Sequence, residues 1–188
     1  MNGQVAFEGD SYIGVELIKL KDKFGINICI ETGTQYGATT QALSNIFERV
    51  VSIEANNEFL DIARERILNT NVELIHGKSE QALKYILHDN SLYYLDAHGC
   101  NVGGSPLKEE LEIIASKKYK NVSIAIHDFK VPDKDFGYDA YDYELKMEEI
   151  EEHLHSIYPA GFDYHYNEVA DGARRGIIYI YPKTIFTA

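Results

Sequence analysis

The chain is short of cysteine, proline and basic residues, and each shortage narrows what it can be. Two cysteines in 188 residues, Cys29 and Cys100, cannot staple a disulfide scaffold and suit a reducing, cytoplasmic setting. The four prolines, at 106, 132, 159 and 182, fall where loops or element ends are expected. No apolar run approaches the roughly 20 residues of a membrane span. Residues 1–12 offer neither a basic n-region nor an apolar h-region, so no secretory signal is expected there. Against 30 Asp and Glu stand only 18 Lys and Arg, a net charge of −12. The basic surface that nucleic acid or anionic lipid needs is therefore missing. No internal repeat, low-complexity tract or linker-like stretch interrupts the chain.

What remains is a globular composition, 45% hydrophobic and 26% charged. One domain over 1–188 is expected, and a chain of this length buries on the order of 70% of its unfolded surface. Hydrophobic periodicity alternates between short apolar runs and amphipathic stretches. Ser11 is placed to cap a first helix with Ile13, Leu17, Ile18 and Leu20 on its apolar face and Gly25 as its stop. Strands are expected at 26–30, 50–53, 72–75, 92–95 and 122–126. Helices are expected at 37–47, 56–68, 79–87 and 106–115. A polar, aromatic loop follows, then a helix with Met147, Ile150, Leu154 and Ile157 on one side. Two last strands, 162–166 and 177–181, lack a helix between them and should pair antiparallel. The alternation predicts an α/β fold: a doubly wound, Rossmann-like sheet of about seven strands, mostly parallel, with a C-terminal antiparallel hairpin. Three stretches follow: an N-terminal helix (1–25), a cofactor-binding core (26–130), and a substrate loop, helix and hairpin (131–188).

Ligands of such sheets bind beyond the carboxyl ends of the strands, so those residues carry the functional reading. After the first strand comes Glu31-Thr32-Gly33-Thr34-Gln35-Tyr36-Gly37, whose glycines permit a tight turn and close approach to the next helix. The second strand ends at Glu54, about 20 residues on, where an acid can accept hydrogen bonds from ribose hydroxyls. A further absence decides the cofactor. The dinucleotide fingerprint G-x-G-x-x-G needs a middle glycine for the pyrophosphate, and Gln35 stands there. S-adenosylmethionine has the adenosine without a phosphate. It is also cationic, so the carboxylates are suitable company.

The runs ICIETGTQYGATTQAL, VVSIEANNEFLDIARERI, VELIHGKSEQAL and LYYLDAHG resemble the successive motifs of class I S-adenosylmethionine-dependent methyltransferases. The resemblance covers about residues 26–130. It implies that Glu31, Gly33, Thr34 and Gly37, with Tyr36 in the same turn, surround the methionine part. It puts Glu54 on the ribose, Ala55 beside the adenine, and Gly77, Lys78 and Ser79 by the adenine amine. Asp96, after the fourth strand, belongs at the methyl-donor end.

The fourth and fifth strands end in Asp96-Ala97-His98 and His127-Asp128. Carboxylates with imidazoles suit a divalent ion, and no paired cysteines suggest structural zinc. The alternative is ordinary strand-end hydrogen bonding. The pattern also resembles the divalent-metal-dependent O-methyltransferases, which implies Asp96, His127 and Asp128 as ligands for Mg²⁺ or another divalent metal. Where those enzymes carry an Asp-Asn pair this chain has His127-Asp128, with Val131-Pro132 following. Their catalytic lysine falls on Gly99 and is missing, leaving His98 as general base, with Asp96 and Asp128 as its catalytic partners. The loop holding Phe129, Phe136, Tyr138, Tyr141 and Tyr143 is open to two readings, acceptor lid or surface contact, including that of a homodimer. Residues 172–176 read as an exposed hairpin turn, or as a reach toward an anionic substrate. The function expected is O-methylation of a hydroxylated small molecule such as a sugar, a phenol or a natural-product intermediate. The alternatives are an NAD-linked oxidoreductase and a non-catalytic S-adenosylmethionine-binding module.

Overall fold

A computed structural model describes residues 5–86, 88–98 and 104–183. Within them the chain runs through α1 (Ser11–Phe24), β1 (Ile28–Thr32), α2 (Ala38–Ile46), β2 (Arg49–Glu54), α3 (Asn57–Arg66) and β3 (Val72–His76). It continues through α4 (Ser79–Ile86), β4 (Ser91–Leu95), α5 (Leu107–Ser116), β5 (Val122–His127), α6 (Met147–Ile157), β6 (Phe162–Tyr166) and β7 (Ile177–Pro182). The end of the helix expected at 79–87, Leu87, lies outside the described residues, as do Gly99 and Cys100. No helix among the described residues is long and apolar enough to cross a membrane.

The seven strands form one sheet in the order β3-β2-β1-β4-β5-β7-β6. β1 to β5 pair in parallel, and β7 inserts antiparallel between β5 and β6. The order reverses between β1 and β4, which opens a crevice at their carboxyl ends. The central strands β4 and β5 are buried throughout, as strands covered on both faces must be. Ile30, Tyr93, Ile124 and Ile178 face a core closed by Leu111 of α5 and by Ile150 and Leu154 of α6. Cys29, Val50, Leu92 and Tyr94 face the opposite core, closed by Ile13 and Leu17 of α1 and Leu43 of α2.

Three local expectations are corrected. Asp10, not Ser11, caps α1: its side chain accepts from the Tyr12 N–H at 2.9 Å. Ser11 instead bonds Asp171 through both its N–H and its hydroxyl. Ile18 leaves the apolar face of α1 and is 46% exposed, whereas Gly25 ends the helix in the left-handed conformation as expected. The first strand lies two residues further on than 26–30. Side chains alternate across a strand, so this extension puts Glu31 on the same face as Cys29, under α2.

Candidate active site

The residues that follow the strands converge on one open cavity of about 1110 Å³. The β1 turn contributes Gly33, Thr34 and Gln35, and the β2 end contributes Glu54, Ala55 and Asn56. Gly77, Lys78 and Ser79 come from beyond β3, Asp96, Ala97 and His98 from beyond β4, and His127 and Asp128 from the end of β5.

At one end, Glu54 is held as a fixed acceptor. Its Oε2 takes the Gln35 N–H and its Oε1 the Asn56 N–H, each at 2.7 Å. Asn56 in turn caps α3, accepting from the Glu58 and Phe59 N–H groups. Each carboxylate oxygen keeps a second lone pair for a ligand hydroxyl. Beside it Gly77 faces open space, where a side chain would otherwise project. These features fit an adenosine: a preset ribose acceptor with an unobstructed floor next to it.

The glycines of the β1 turn serve packing. A Cβ on Gly33 would stand 2.3 Å from the Asp96 carbonyl oxygen, so glycine lets the β1 and β4 turns interlock. A Cβ on Gly37 would meet the Ala63 Cβ at 3.0 Å, so this glycine brings α2 against α3. Gly37 and Tyr36, both expected at the cofactor, do not line the cavity, and the Tyr36 ring packs on Phe59 with centroids 4.8 Å apart. Glu31 does not line it either. It is fully buried, and its Oε2 accepts the Thr40 and Ser52 hydroxyls at 2.5 Å each. Burial pushes its pKa up to about 8 despite those two hydrogen bonds.

The other end is a cluster of charges. His98 Nε2 lies 3.3 Å from Asp128 Oδ2 and 3.5 Å from Asp96 Oδ1. His127 Nδ1 lies 3.3 Å from Asp128 Oδ1 and 3.5 Å from Asp96 Oδ1, without good hydrogen-bond alignment. Both rings are almost fully buried, which would disfavour their charged forms. The Asp128 and Asp96 carboxylates reverse that and hold both histidines above the usual range. Burial would raise Asp128, but His127 and His98 drive it well below the ordinary carboxylate range. Burial raises Glu8, and the Asp128 charge adds to the rise.

Glu8 and Asp139 were not expected at this end, and Arg175 only through the second reading of residues 172–176. Arg175 donates from Nε to Asp128 Oδ1 and from Nη2 to Asp139 Oδ1. The hairpin turn is therefore only half exposed in effect: Arg174 pairs outside with Asp135 while Arg175 turns into the cavity. Glu8 arrives from a tight turn, Ala6–Gly9, in which Phe7 and Glu8 are left-handed at φ 52° and 53°. That turn precedes the first amphipathic helix and has no periodic signal. Asp139 stands in the aromatic loop. The loop's aromatic side chains do not line the cavity: Phe129 is core, Tyr138 bonds Glu144, and Tyr141 bonds Asp139.

The metal set also differs from its expected form. Donor atoms within 4.8 Å of one another fall into two triads that share Asp128, namely Asp96–His98–Asp128 and Glu8–His127–Asp128. Mg²⁺ favours oxygen ligands, and each triad contains an imidazole. The carboxylate common to both already carries the Arg175 guanidinium. With the Arg175 guanidinium on Asp128, these residues do not fit Mg²⁺ as the O-methyltransferase resemblance implied.

No protein-family model matches the chain, and no curated protein matches it. Solved structures do. The O-methyltransferase from Streptomyces achromogenes involved in tomaymycin synthesis, in complex with S-adenosylmethionine, is 16% identical with a TM-score of 0.63. The match covers 93% of this chain and 81% of that one. An O-methyltransferase from Bacillus cereus in complex with S-adenosylhomocysteine is 19% identical with a TM-score of 0.61, over 92% and 81% of the two chains. Precorrin 8W decarboxylase from Methanobacterium thermoautotrophicum is also 19% identical, with a TM-score of 0.57 over 93% and 90%. The chain thus has the Rossmann-like fold of the S-adenosylmethionine-dependent methyltransferases. A shared fold does not by itself fix the reaction.

Proposed function

We propose that this chain is an S-adenosylmethionine-dependent methyltransferase that methylates a hydroxyl of a neutral, polyhydroxylated small molecule. The observation that carries the reading is one cavity with two ends. A fixed Glu54 acceptor stands at one end, and a carboxylate-oriented His98 stands at the other. When bound, S-adenosylmethionine supplies a methyl group on a sulfonium sulfur. Glu54 would hold the ribose hydroxyls, Ala55 and Gly77 would border the adenine, and Gly33, Thr34 and Asp96 would flank the methionine part. His98 turns Nε2 toward Asp128 and Asp96. In its neutral form the ring keeps that proton on Nε2 and offers Nδ1 as the base for the acceptor hydroxyl.

The acceptor class follows from the lining. Among the described residues, Glu8, Glu54, Glu80, Asp96, Glu109, Asp128 and Asp139 line the cavity against Lys78, Arg175 and the two histidines, His98 and His127, as basic residues. An anionic acceptor would be repelled. Besides the histidines, Phe7 and Phe59 are the only aromatic lining residues among those described. A flat phenolic ring has few stacking partners there, whereas sugar-like hydroxyls have many polar ones. The test is calorimetry with S-adenosylmethionine, then transfer of a labelled methyl group to panels of sugars, polyols and phenols. Cofactor binding with labelling of sugars or polyols supports the reading. Failure to bind the cofactor overturns it, and labelling of phenols alone overturns the acceptor class.

A further inference from the structure

We propose that Arg175 is the resident cation of the acceptor end, standing where the O-methyltransferase resemblance implies a divalent ion, and that this site is metal-independent. Its catalytic meaning rests on the methyl-transfer reading above. The statement about metal does not.

The guanidinium sits in a built slot. It spans Asp128, at the end of β5, and Asp139, in the following loop. A Cβ on Gly137 would lie 2.8 Å from Arg175 Nη1, so the glycine makes room for the guanidinium. Gly176, the next residue, lets the chain pack against the segment after β5, since a Cβ there would lie 2.1 Å from the Phe129 carbonyl oxygen. Backbone bonds fix both flanks: Gly137 N–H to Arg174 O at 2.9 Å, Gly176 N–H to Gly137 O at 2.8 Å, and Phe129 N–H to Gly176 O at 2.9 Å. The Asp139 N–H meets the Asp128 carbonyl at 2.9 Å, which ties together the backbones that carry the two carboxylates. Further out, Ala173 N–H bonds Glu8 O at 3.1 Å, so the hairpin loop is also pinned to the N-terminal turn. An arginine held this way is a fixed part of the site, unlike a surface side chain that a metal displaces at little cost.

A divalent ion on either triad would share Asp128 with this guanidinium and be repelled by it. Arg175 fixes Asp128, and Asp128 faces His98, so Arg175 acts as a positioning residue for the base. A planar guanidinium bridging two carboxylates supplies direction that a lysine at the same place would not.

The test uses the chelator-treated 188-residue chain and titrates it with MnCl₂ and with MgCl₂ by calorimetry, S-adenosylmethionine being titrated separately. The wild type should take up neither metal below 1 mM. Uptake of about one equivalent at or below 0.1 mM, lost in Asp128→Asn, overturns the proposal, as does uptake anywhere below 1 mM that Asp128→Asn abolishes. Arg175→Met frees Asp128 and should bind Mn²⁺ at least tenfold tighter than the wild type. No gain in a folded Arg175→Met protein overturns the role given to Arg175, and the wild-type titration stands if that variant does not fold. Loss of S-adenosylmethionine binding would sink the methyl-transfer reading and leave the metal result intact.

Discussion

The Gln35 N–H donates to Glu54 Oε2 at 2.7 Å, and that bond ties the β1 turn to the end of β2. Gln35 reaches it from a left-handed conformation, φ 50°, at the position where a dinucleotide fingerprint has glycine. The turn thus keeps a glycine-like backbone while presenting a side chain. Glu54 enters the cavity already oriented, so its contribution to a ribose is little diminished by ordering. Glu54→Ala should weaken S-adenosylmethionine binding by about 10- to 100-fold, the range for charged hydrogen bonds. Glu54→Gln should lose less. Calorimetry decides it, and an unchanged dissociation constant in Glu54→Ala would remove Glu54 from the cofactor site.

Gly33→Ala should destabilise the fold by at least about 2 kcal/mol, because a methyl group meets the Asp96 carbonyl and the residue is held at φ 87°. Gly25→Ala is the control, with nothing within 4 Å of its Cβ and only the left-handed penalty of about 1–2 kcal/mol. Thermal unfolding of both variants should rank Gly33→Ala clearly lower. Equal melting temperatures would mean that the β1 turn and β4 turn are not locked together.

The sheet was legible in the sequence because its strands are apolar runs separated by amphipathic helices, a pattern set by burial. The strand-end residues Glu54, Asp96, His98, His127 and Asp128 were legible because parallel strands deliver their ends to one rim. Glu31 was misplaced because strand length decides which face a residue takes, and a polar residue at a strand end does not mark that length. Arg175, Asp139 and Glu8 come from loops and a tight turn, whose paths depend on contacts between Gly172 and Glu8 or Gly137 and Arg175. Such contacts leave no periodicity in the chain.

If His98 is the base, methyl transfer should rise with pH as the imidazole loses its proton. Burial favours the neutral ring, but Asp128 and Asp96 outweigh it, so the acid limb of kcat/KM should fall above pH 6.5. Asp128→Asn removes one of those charges and should move the limb to lower pH, with a lower plateau. His98→Gln should abolish the limb along with most of the rate, a loss of roughly 100-fold or more. A limb that stays in place in Asp128→Asn would show that another group is titrating.

Glu31 makes the last prediction, one about stability. Its carboxyl keeps a proton up to about pH 8 in the folded chain, against 4.5 as its ordinary value. Between those values the unfolded chain binds fewer protons, so unfolding becomes more favourable as pH rises. Stability should therefore fall from about pH 4.5 to 8, by at most about 1.4 kcal/mol per pH unit from this group. Glu110, buried and raised to about 7, adds a slope of the same sign over its own narrower window. Glu31→Gln cannot titrate but retains a carbonyl for the Thr40 and Ser52 hydroxyls. Urea denaturation at pH 5, 6.5 and 8 should show the variant gaining on the wild type at each step. Parallel pH profiles would mean that Glu31 is ionised in the fold, and its burial beneath α2 would then need a cation that none of its hydrogen-bond partners provides.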